Sequence, residues 1–153
     1  MACWNGKSRL TAAILVDVDG TLASAYRGGR RELRPSAMVA LDLLSEHAPV
    51  FLWSVAGADN GDRLMHEFPG LTRYVQSAWM KSEFPLDKVD HPYCIDDMDL
   101  DDEVHRCTCV ILNETWDGGA DSGDLVEASQ LIADDLAKRK LSPIASMTCS
   151  SLP

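Results

Sequence analysis

The stretch Ile-Leu-Val-Asp-Val-Asp-Gly-Thr at residues 14–21 decides the fold, because an apolar run ends there in two carboxylates, a glycine and a hydroxyl. Residues 12–16 are aliphatic without polar alternation, which predicts a strand buried on both faces of a parallel sheet. Ligands of such sheets bind beyond the carboxyl ends of the strands. Asp17 and Asp19 lie at that end, and Gly20 lets the backbone turn close to a bound group. We therefore expect a site here, with oxygen ligands suited to a hard divalent cation.

Helical and strand patterns alternate along the rest of the chain. Pro35 suits the first turn of a helix, and apolar residues recur at helical spacing to about residue 47. The later patterns predict strands at 50–53, 72–79, 93–95 and 107–112, a helix at 59–68, and a last helix capped by Asp121 or Ser122 and ending near Lys140. The 153 residues are predicted to form one domain, with flexible termini at residues 1–9 and 142–153. The expected fold class is α/β: a three-layer, Rossmann-like fold with a central, mainly parallel sheet of about five strands.

Polar side chains also follow two later strands of the predicted sheet. Ser54 ends the second strand, and Asp96 and Asp97 follow the apolar residues 93–95. Clustered carboxylates repel one another unless a cation is present. We therefore expect the acids of the first and fourth strands to converge on one divalent ion. Asp101 is a candidate for a further carboxylate of this cluster.

The order of these residues resembles the four motifs of the haloacid dehalogenase-like phosphohydrolases, in their compact, cap-less form. The first motif, Asp-x-Asp-Gly-Thr, is matched by residues 17–21 and the second, a lone Ser or Thr, by Ser54. The third, a lysine, is matched by Lys88, with Lys81 as the alternative. The fourth, an acidic pair, is matched by Asp96 and Asp97.

The resemblance implies a role for each matched residue. Asp17 would be the nucleophile that forms an aspartyl-phosphate, and Asp19 the general acid and base. Ser54 and Lys88 would balance charge on the phosphoryl group. The implied cofactor is Mg2+, held by Asp17, the backbone carbonyl of Asp19 and a carboxylate of Asp96 or Asp97; which of these last two binds directly stays open.

Residues 22–34 form an arginine-rich segment in an acidic protein. It contains Arg27, Arg30, Arg31 and Arg34. One interpretation is a flap that attracts an anionic substrate, with Arg30 and Arg31 binding it beside Gly20 and Thr21. The other is a solvated loop whose arginines pair with acids of the protein.

Composition and charge limit the partners and the compartment. The formal net charge of -10 disfavours generic nucleic-acid binding. No apolar run reaches the length of about 20 residues that crosses a bilayer, and the first ten residues lack the apolar core of a signal peptide. The five cysteines are odd in number, and Cys107 and Cys109 are interpreted as small buried hydrophobic residues rather than a redox pair. These features predict a cytoplasmic protein with no membrane partner.

The predicted function is a Mg2+-dependent phosphate monoester hydrolase. The gaps at residues 22–34 and 57–79 are too short for a large cap, so the site would be open to a bulky substrate or covered by a partner subunit in an oligomer. Residues 34–54 resemble cap-less phosphatases of polynucleotide ends and of phosphoproteins, which favours a bulky substrate such as a phosphorylated polynucleotide end. Ile95-Asp96-Asp97 resembles the deoxyribonucleotidase-like members, which points to a nucleotide. The alternative is a catalytically inactive binding or regulatory module that keeps the fold.

Overall fold

Residues 4–141 are described by a computed structural model, and they build one sheet of five parallel strands. The strands are β1 (Leu10–Asp17), β2 (Val50–Ser54), β3 (Val75–Met80), β4 (Val89–Asp96) and β5 (Thr108–Ile111). Their order across the sheet is β3-β2-β1-β4-β5, with β1 in the centre. The predicted α/β, Rossmann-like fold class is therefore confirmed.

Both faces of β1 are covered, which explains its unbroken apolar run. Ile14 and Val16 pack in a cluster with apolar residues of helices α1 (Ala37–Ser45), α2 (Ala58–Glu67) and α4 (Asp124–Lys138). Ala13 and Leu15 point to the other face, since successive side chains of a strand alternate. All four of these side chains are fully buried.

The second face is covered mainly by aromatic rings and by a short helix, α3 (Asp102–His105). The Trp4 ring centroid lies 5.2 Å from that of Phe51 and 5.6 Å from that of Phe84. Its indole N–H donates to the Ser8 carbonyl oxygen at 2.9 Å. The prediction of a flexible arm over residues 1–9 is therefore wrong for Trp4, which belongs to the core; residues 1–3 and 142–153 lie outside the described residues.

A disulfide joins Cys94 of β4 to Cys109 of β5. The two residues face each other in the register of the parallel pair, which brings their side chains together. The interpretation of Cys109 as a small buried hydrophobic residue is therefore wrong. Cys107 is a free, half-buried thiol.

Two element boundaries differ from the predicted ones. Strand β4 begins at Val89, before Pro92, and β5 pairs with it only from Tyr93 onward, so the missing N–H of Pro92 lies where β4 has a single neighbour. Helix α4 begins after Gly123, which has no side chain to cap it, and the carboxylate of Asp121 accepts from the backbone N–H groups of both Gly123 and Ser36. Within residues 4–141, no helix combines the length and the apolar character needed to cross a membrane.

Candidate functional site

The acids of the first and fourth strands meet at one edge of the sheet. Strands β1 and β4 are parallel neighbours, with Val16 opposite Ile95, so their carboxyl ends lie side by side. Asp17, Asp96 and Asp97 each place a carboxylate oxygen within 4.8 Å of the other two. The structure thus brings together the three carboxylates that the sequence predicts to share a cation.

Lys81, not Lys88, completes this cluster. The Lys81 ammonium donates to Asp96 at 2.6 Å and to Asp101 at 2.9 Å, and it lies 3.4 Å from Asp17 Oδ1. Lys88 directly precedes β4, at the opposite end of the strand from Asp96, about 26 Å away by the usual rise per residue. The structure therefore places Lys81, the alternative candidate, at this cluster, whereas Lys88, the preferred candidate for the motif lysine, lies away from it.

Burial concentrates negative charge at this edge. The side chains of Asp17 and Asp96 are almost fully buried. Burial, with the charge of Asp96 added, raises the pKa of Asp17 well above its ordinary value, although Lys81 opposes the shift. Burial also raises the pKa of Asp96 against the opposing effect of Lys81. For Lys81, burial lowers the pKa, but the charge of Asp17 and the bonds to Asp101 and Asp96 outweigh it, so the net shift is upward and the amine is charged.

The donor set fits a hard divalent cation. Lys81 supplies one positive charge, whereas the carboxylates of Asp17, Asp96 and Asp97 supply three negative charges when ionised. Burial is the main reason that the pKa values of Asp17 and Asp96 are raised, and neighbouring aspartates add to the shift. Carboxylate oxygens are the ligands that Mg2+ prefers, and a dication would offset the excess charge.

Thr21 and Gly20 shape the loop that holds the nucleophile candidate. The Thr21 hydroxyl is fully buried and donates to Asp17 Oδ2 at 3.1 Å. It therefore orients Asp17, whereas the sequence predicts that it binds the substrate. Gly20 has φ +80°, and a Cβ there would collide with the Asp97 carboxylate and lie 2.7 Å from Thr115 Cγ2. Only glycine combines this backbone with the approach of Asp97.

Asn60 links two of the predicted site residues and was missed at the sequence level. Its amide N–H2 donates to Asp19 Oδ2 at 2.8 Å and to Ser54 Oγ at 3.1 Å. The first turn of a helix that follows a strand lies at the carboxyl edge of the sheet, and Asn60 is in that turn of α2. This position is the signal that could have identified it.

The arginines of residues 22–34 are largely engaged within the protein. The buried Arg31 donates to Glu67 Oε1 at 2.9 Å and to the Asn60 side chain at 2.9 Å, and it lies 3.7 Å from Asp19 Oδ1. Its predicted substrate contact is therefore replaced by contacts that fix Asn60. Arg27 pairs with Asp117.

The remaining two arginines of this segment lie in opposite settings. Arg34 is buried against Asp121 and Asp124. Arg30 is exposed in a tight turn, where its backbone bonds to that of Arg27. The arginines that form ion pairs support the second interpretation of the segment, in which its positive charges pair with acids of the protein.

An open cavity of about 670 Å³ lies over the cluster. Its lining includes six aspartates and one cationic side chain, Lys81. The aspartates are Asp17, Asp19, Asp96, Asp97, Asp101 and Asp117. Asp19 is more than half exposed, so its carboxylate is accessible from the cavity.

Comparisons with known proteins add no assignment. No family model matches the chain, and no curated protein matches its sequence. The functional argument therefore depends on the site itself.

Proposed function

We propose that this chain is a Mg2+-dependent phosphate monoester hydrolase of the haloacid dehalogenase-like type. The observation that carries the proposal is the convergence of Asp17, Asp96, Asp97 and Lys81 at the carboxyl ends of neighbouring parallel strands. A nucleophilic carboxylate, a cation-binding acid pair and a fixed ammonium are the groups that phosphoryl transfer needs. Asp19, two residues after Asp17 and accessible from the cavity, supplies the fourth group, a proton donor.

The carboxylates of Asp17, Asp96 and Asp97 and the backbone carbonyl oxygen of Asp19 would hold the Mg2+, which would neutralise charge on the phosphate oxygens and allow the anion to approach a carboxylate. The Asp17 carboxylate attacks phosphorus, and the phosphorus–oxygen bond to the leaving group breaks. Asp19 gives that oxygen a proton and then takes one from the water that hydrolyses the aspartyl-phosphate. The Lys81 ammonium and the Ser54 hydroxyl balance charge on the transferred group.

Phosphate release from phenyl phosphate, with Mg2+ and with a chelator, tests the proposal. We expect release with Mg2+ and none after chelation. Thermal unfolding with and without Mg2+ provides a second measurement, because a cation that binds only the folded chain raises its melting temperature. A melting temperature raised by Mg2+ without phosphate release would reject hydrolysis and favour the inactive binding module.

Replacing Lys81 with methionine should lower kcat by about 10²–10³-fold, because the transferred phosphoryl group loses a fixed positive charge. Lys88→Met is the matched control, and we expect its kcat to stay within about twofold of wild type, since Lys88 lies at the far end of β4. Steady-state kinetics on both variants measure the difference, and circular dichroism confirms that each is folded. Equal losses in the two variants would contradict the assignment of Lys81.

Replacing Asn60 with alanine should slow poor leaving groups more than good ones. Asn60 holds the Asp19 carboxylate, and only a leaving group of high pKa depends strongly on protonation by Asp19. We expect kcat/KM to fall about tenfold or more for an alkyl phosphate, and about threefold or less for 4-nitrophenyl phosphate. Loss of the Ser54 bond affects both substrates alike, so the ratio isolates Asp19. The exposed Asn113→Ala serves as the control, and an unchanged ratio in Asn60→Ala would refute the positioning role.

The cytoplasmic location stays a prediction. The disulfide between Cys94 and Cys109 counts against it, because cytosolic thiols are kept reduced. A nucleotide or a polynucleotide end as the substrate likewise stays a prediction. The charge and the apolar residues at the mouth of the cavity affect which substrates can bind.

A further inference from the structure

Exposed apolar side chains gather at the mouth of the cavity. Within residues 4–141, the large apolar side chains that are exposed are Tyr26, Val39, Val55, Met98, Leu100, Ile111 and Leu131. Four of these seven line the one cavity above the acidic cluster: Tyr26, Val55, Met98 and Leu100. Single exposed apolar residues are ordinary, but a group of them around one cavity marks a binding surface.

These four residues come from different segments that surround the mouth. Tyr26 lies in the arginine-rich segment, Val55 follows β2, and Met98 and Leu100 follow β4. Leu100 is 78% exposed and Val55 is 63% exposed, so neither contributes much to the core. Covering them with an apolar group would remove apolar surface from water, which is favourable.

The charge of the mouth restricts what can cover them. Among the described residues that line the cavity, Lys81 is the only one with a cationic side chain, against six aspartates. Lys81 is already bound by Asp96 and Asp101, and Arg27 at the edge pairs with Asp117. A dication would serve the transferred phosphate and still leave the lining negative. A second anionic group on the ligand would therefore be repelled.

We propose that the substrate is a small phosphate monoester whose leaving group is apolar or aromatic and carries no negative charge of its own. This inference rests on the proposed function and names its substrate class. Tyr26, Val55, Met98 and Leu100 contact the leaving group, while the phosphate meets Asp17. The cavity volume of about 670 Å³ suits a small molecule. A phosphorylated polynucleotide end, which carries several further phosphates, does not fit this mouth.

A pair of matched substrates tests whether a negative charge on the leaving group is disfavoured. Phenyl phosphate and 4-carboxyphenyl phosphate differ by one carboxylate, and the carboxylate makes the leaving group slightly better. We expect kcat/KM for the carboxylate-bearing substrate to be about tenfold lower, and the gap to narrow as salt increases. Equal or faster hydrolysis of 4-carboxyphenyl phosphate, or of a nucleoside 3′,5′-bisphosphate, would overturn the proposal. So would hydrolysis of a phosphotyrosine peptide more than tenfold faster than that of phenyl phosphate.

A pair of matched variants tests the apolar rim, which is the group of Tyr26, Val55, Met98 and Leu100 at the mouth of the cavity. Leu100→Ser removes one rim contact, and Leu131→Ser, also at an exposed leucine, changes a position in α4 that does not line the cavity. We expect Leu100→Ser to raise KM for phenyl phosphate about three- to tenfold with kcat unchanged, and to leave methyl phosphate unaffected. Leu131→Ser should match wild type with both substrates. The same KM from both variants would refute a role for the rim.

A binding measurement separates this inference from the proposed function. Benzylphosphonate and 4-carboxybenzylphosphonate cannot be hydrolysed, so calorimetry in Mg2+ measures their affinity without any turnover. Tighter binding of benzylphosphonate, weakened by Leu100→Ser, supports an apolar, uncharged group as the ligand of this mouth even if no phosphate is released and the hydrolase is rejected. Hydrolysis of all monoesters at similar rates, with equal binding of the two phosphonates, would instead reject the substrate class and leave the hydrolase standing.

Discussion

Replacing Asp17 with asparagine is expected to abolish phosphate release while the protein stays folded. Asparagine has nearly the same shape as aspartate, but its amide cannot attack phosphorus. The Thr21 hydroxyl that donates to Asp17 Oδ2 can donate equally to an amide oxygen. Loss of a nucleophile that forms the covalent intermediate lowers kcat by about 10⁴-fold or more.

Stability should not fall in this variant. Burial and the charge of Asp96 raise the pKa of Asp17 in the folded chain, so the folded state holds a proton at Asp17 more tightly than the unfolded state does. Such a group weakens folding as pH rises above its unfolded pKa. At pH 7 without metal, asparagine removes this cost, and the free energy of unfolding should equal or exceed that of wild type.

The measurement pairs kinetics with urea unfolding. Asp87→Asn is the control, because Asp87 is exposed and lies at the other end of β4 from the site. We expect wild-type activity in the control. If the purified Asp17→Asn protein turned over phenyl phosphate at the wild-type rate, Asp17 would not be the nucleophile.

The strand ends could be predicted from sequence because the physical rule is strong. An apolar run without alternation implies burial on both faces, and parallel strands bring their carboxyl ends to one edge. That rule assigns Asp17, Ser54 and Asp96 to the same edge of the sheet, and all three lie there in the fold.

The same rule, applied to the third strand, would have chosen the correct lysine. Lys81 follows the carboxyl end of β3, which ends at Met80, whereas Lys88 precedes β4. Both lysines lie between Ser54 and Asp96 along the chain, so the order of the motifs allows either. Only Lys81 adjoins the carboxyl end of a strand, where the site lies. A lysine is therefore better judged by the end of the strand it adjoins than by its distance along the chain to the acidic pair.

The partners of the arginines and cysteines could not be predicted from sequence. Asp121 and Asp124, which bind Arg34, lie 87 and 90 residues along the chain from it. Cys94 meets Cys109 because β4 and β5 are neighbours in a particular register. Such pairs depend on tertiary packing, which local patterns do not specify.

Replacing Arg34 with methionine is expected to lower the free energy of unfolding by about 3–5 kcal/mol, because it leaves buried carboxylates without their cation. The Arg34 guanidinium is buried and donates to Asp121 Oδ1 at 3.1 Å, to Asp124 Oδ1 and to the Thr21 carbonyl oxygen at 3.3 Å. It thereby joins the segment before α1, the start of α4 and the loop that carries the site. Methionine fills similar volume without a charge, so the loss measures the ion pairs rather than a cavity.

Two controls separate the buried network from a general effect of losing an arginine. Arg9→Met removes an ion pair with Asp90 whose side chains are 60% and 41% exposed, and it should cost about 1 kcal/mol or less. Adding Asp121→Asn and Asp124→Asn to Arg34→Met should restore part of the stability, since neutral amides no longer need a cation. Urea unfolding at pH 7 measures all of these variants.

The pH dependence of this loss has a definite sign. Burial raises the pKa of Asp121 and Asp124, but hydrogen bonds from their neighbours and the charge of Arg34 lower it by more, so both pKa values lie below the ordinary range. In wild type their contribution is therefore complete above about pH 4 and is lost as pH falls through the lowered values. In Arg34→Met the two carboxylates keep their other hydrogen bonds but lose the charge of Arg34, so they take up protons at higher pH than in wild type, and this protonation lessens the loss of stability. We expect the stability difference from wild type to be largest at pH 7 and smaller at pH 5. A difference that is the same at both pH values, or one below about 1 kcal/mol at pH 7, would show that Arg34 does not hold these carboxylates.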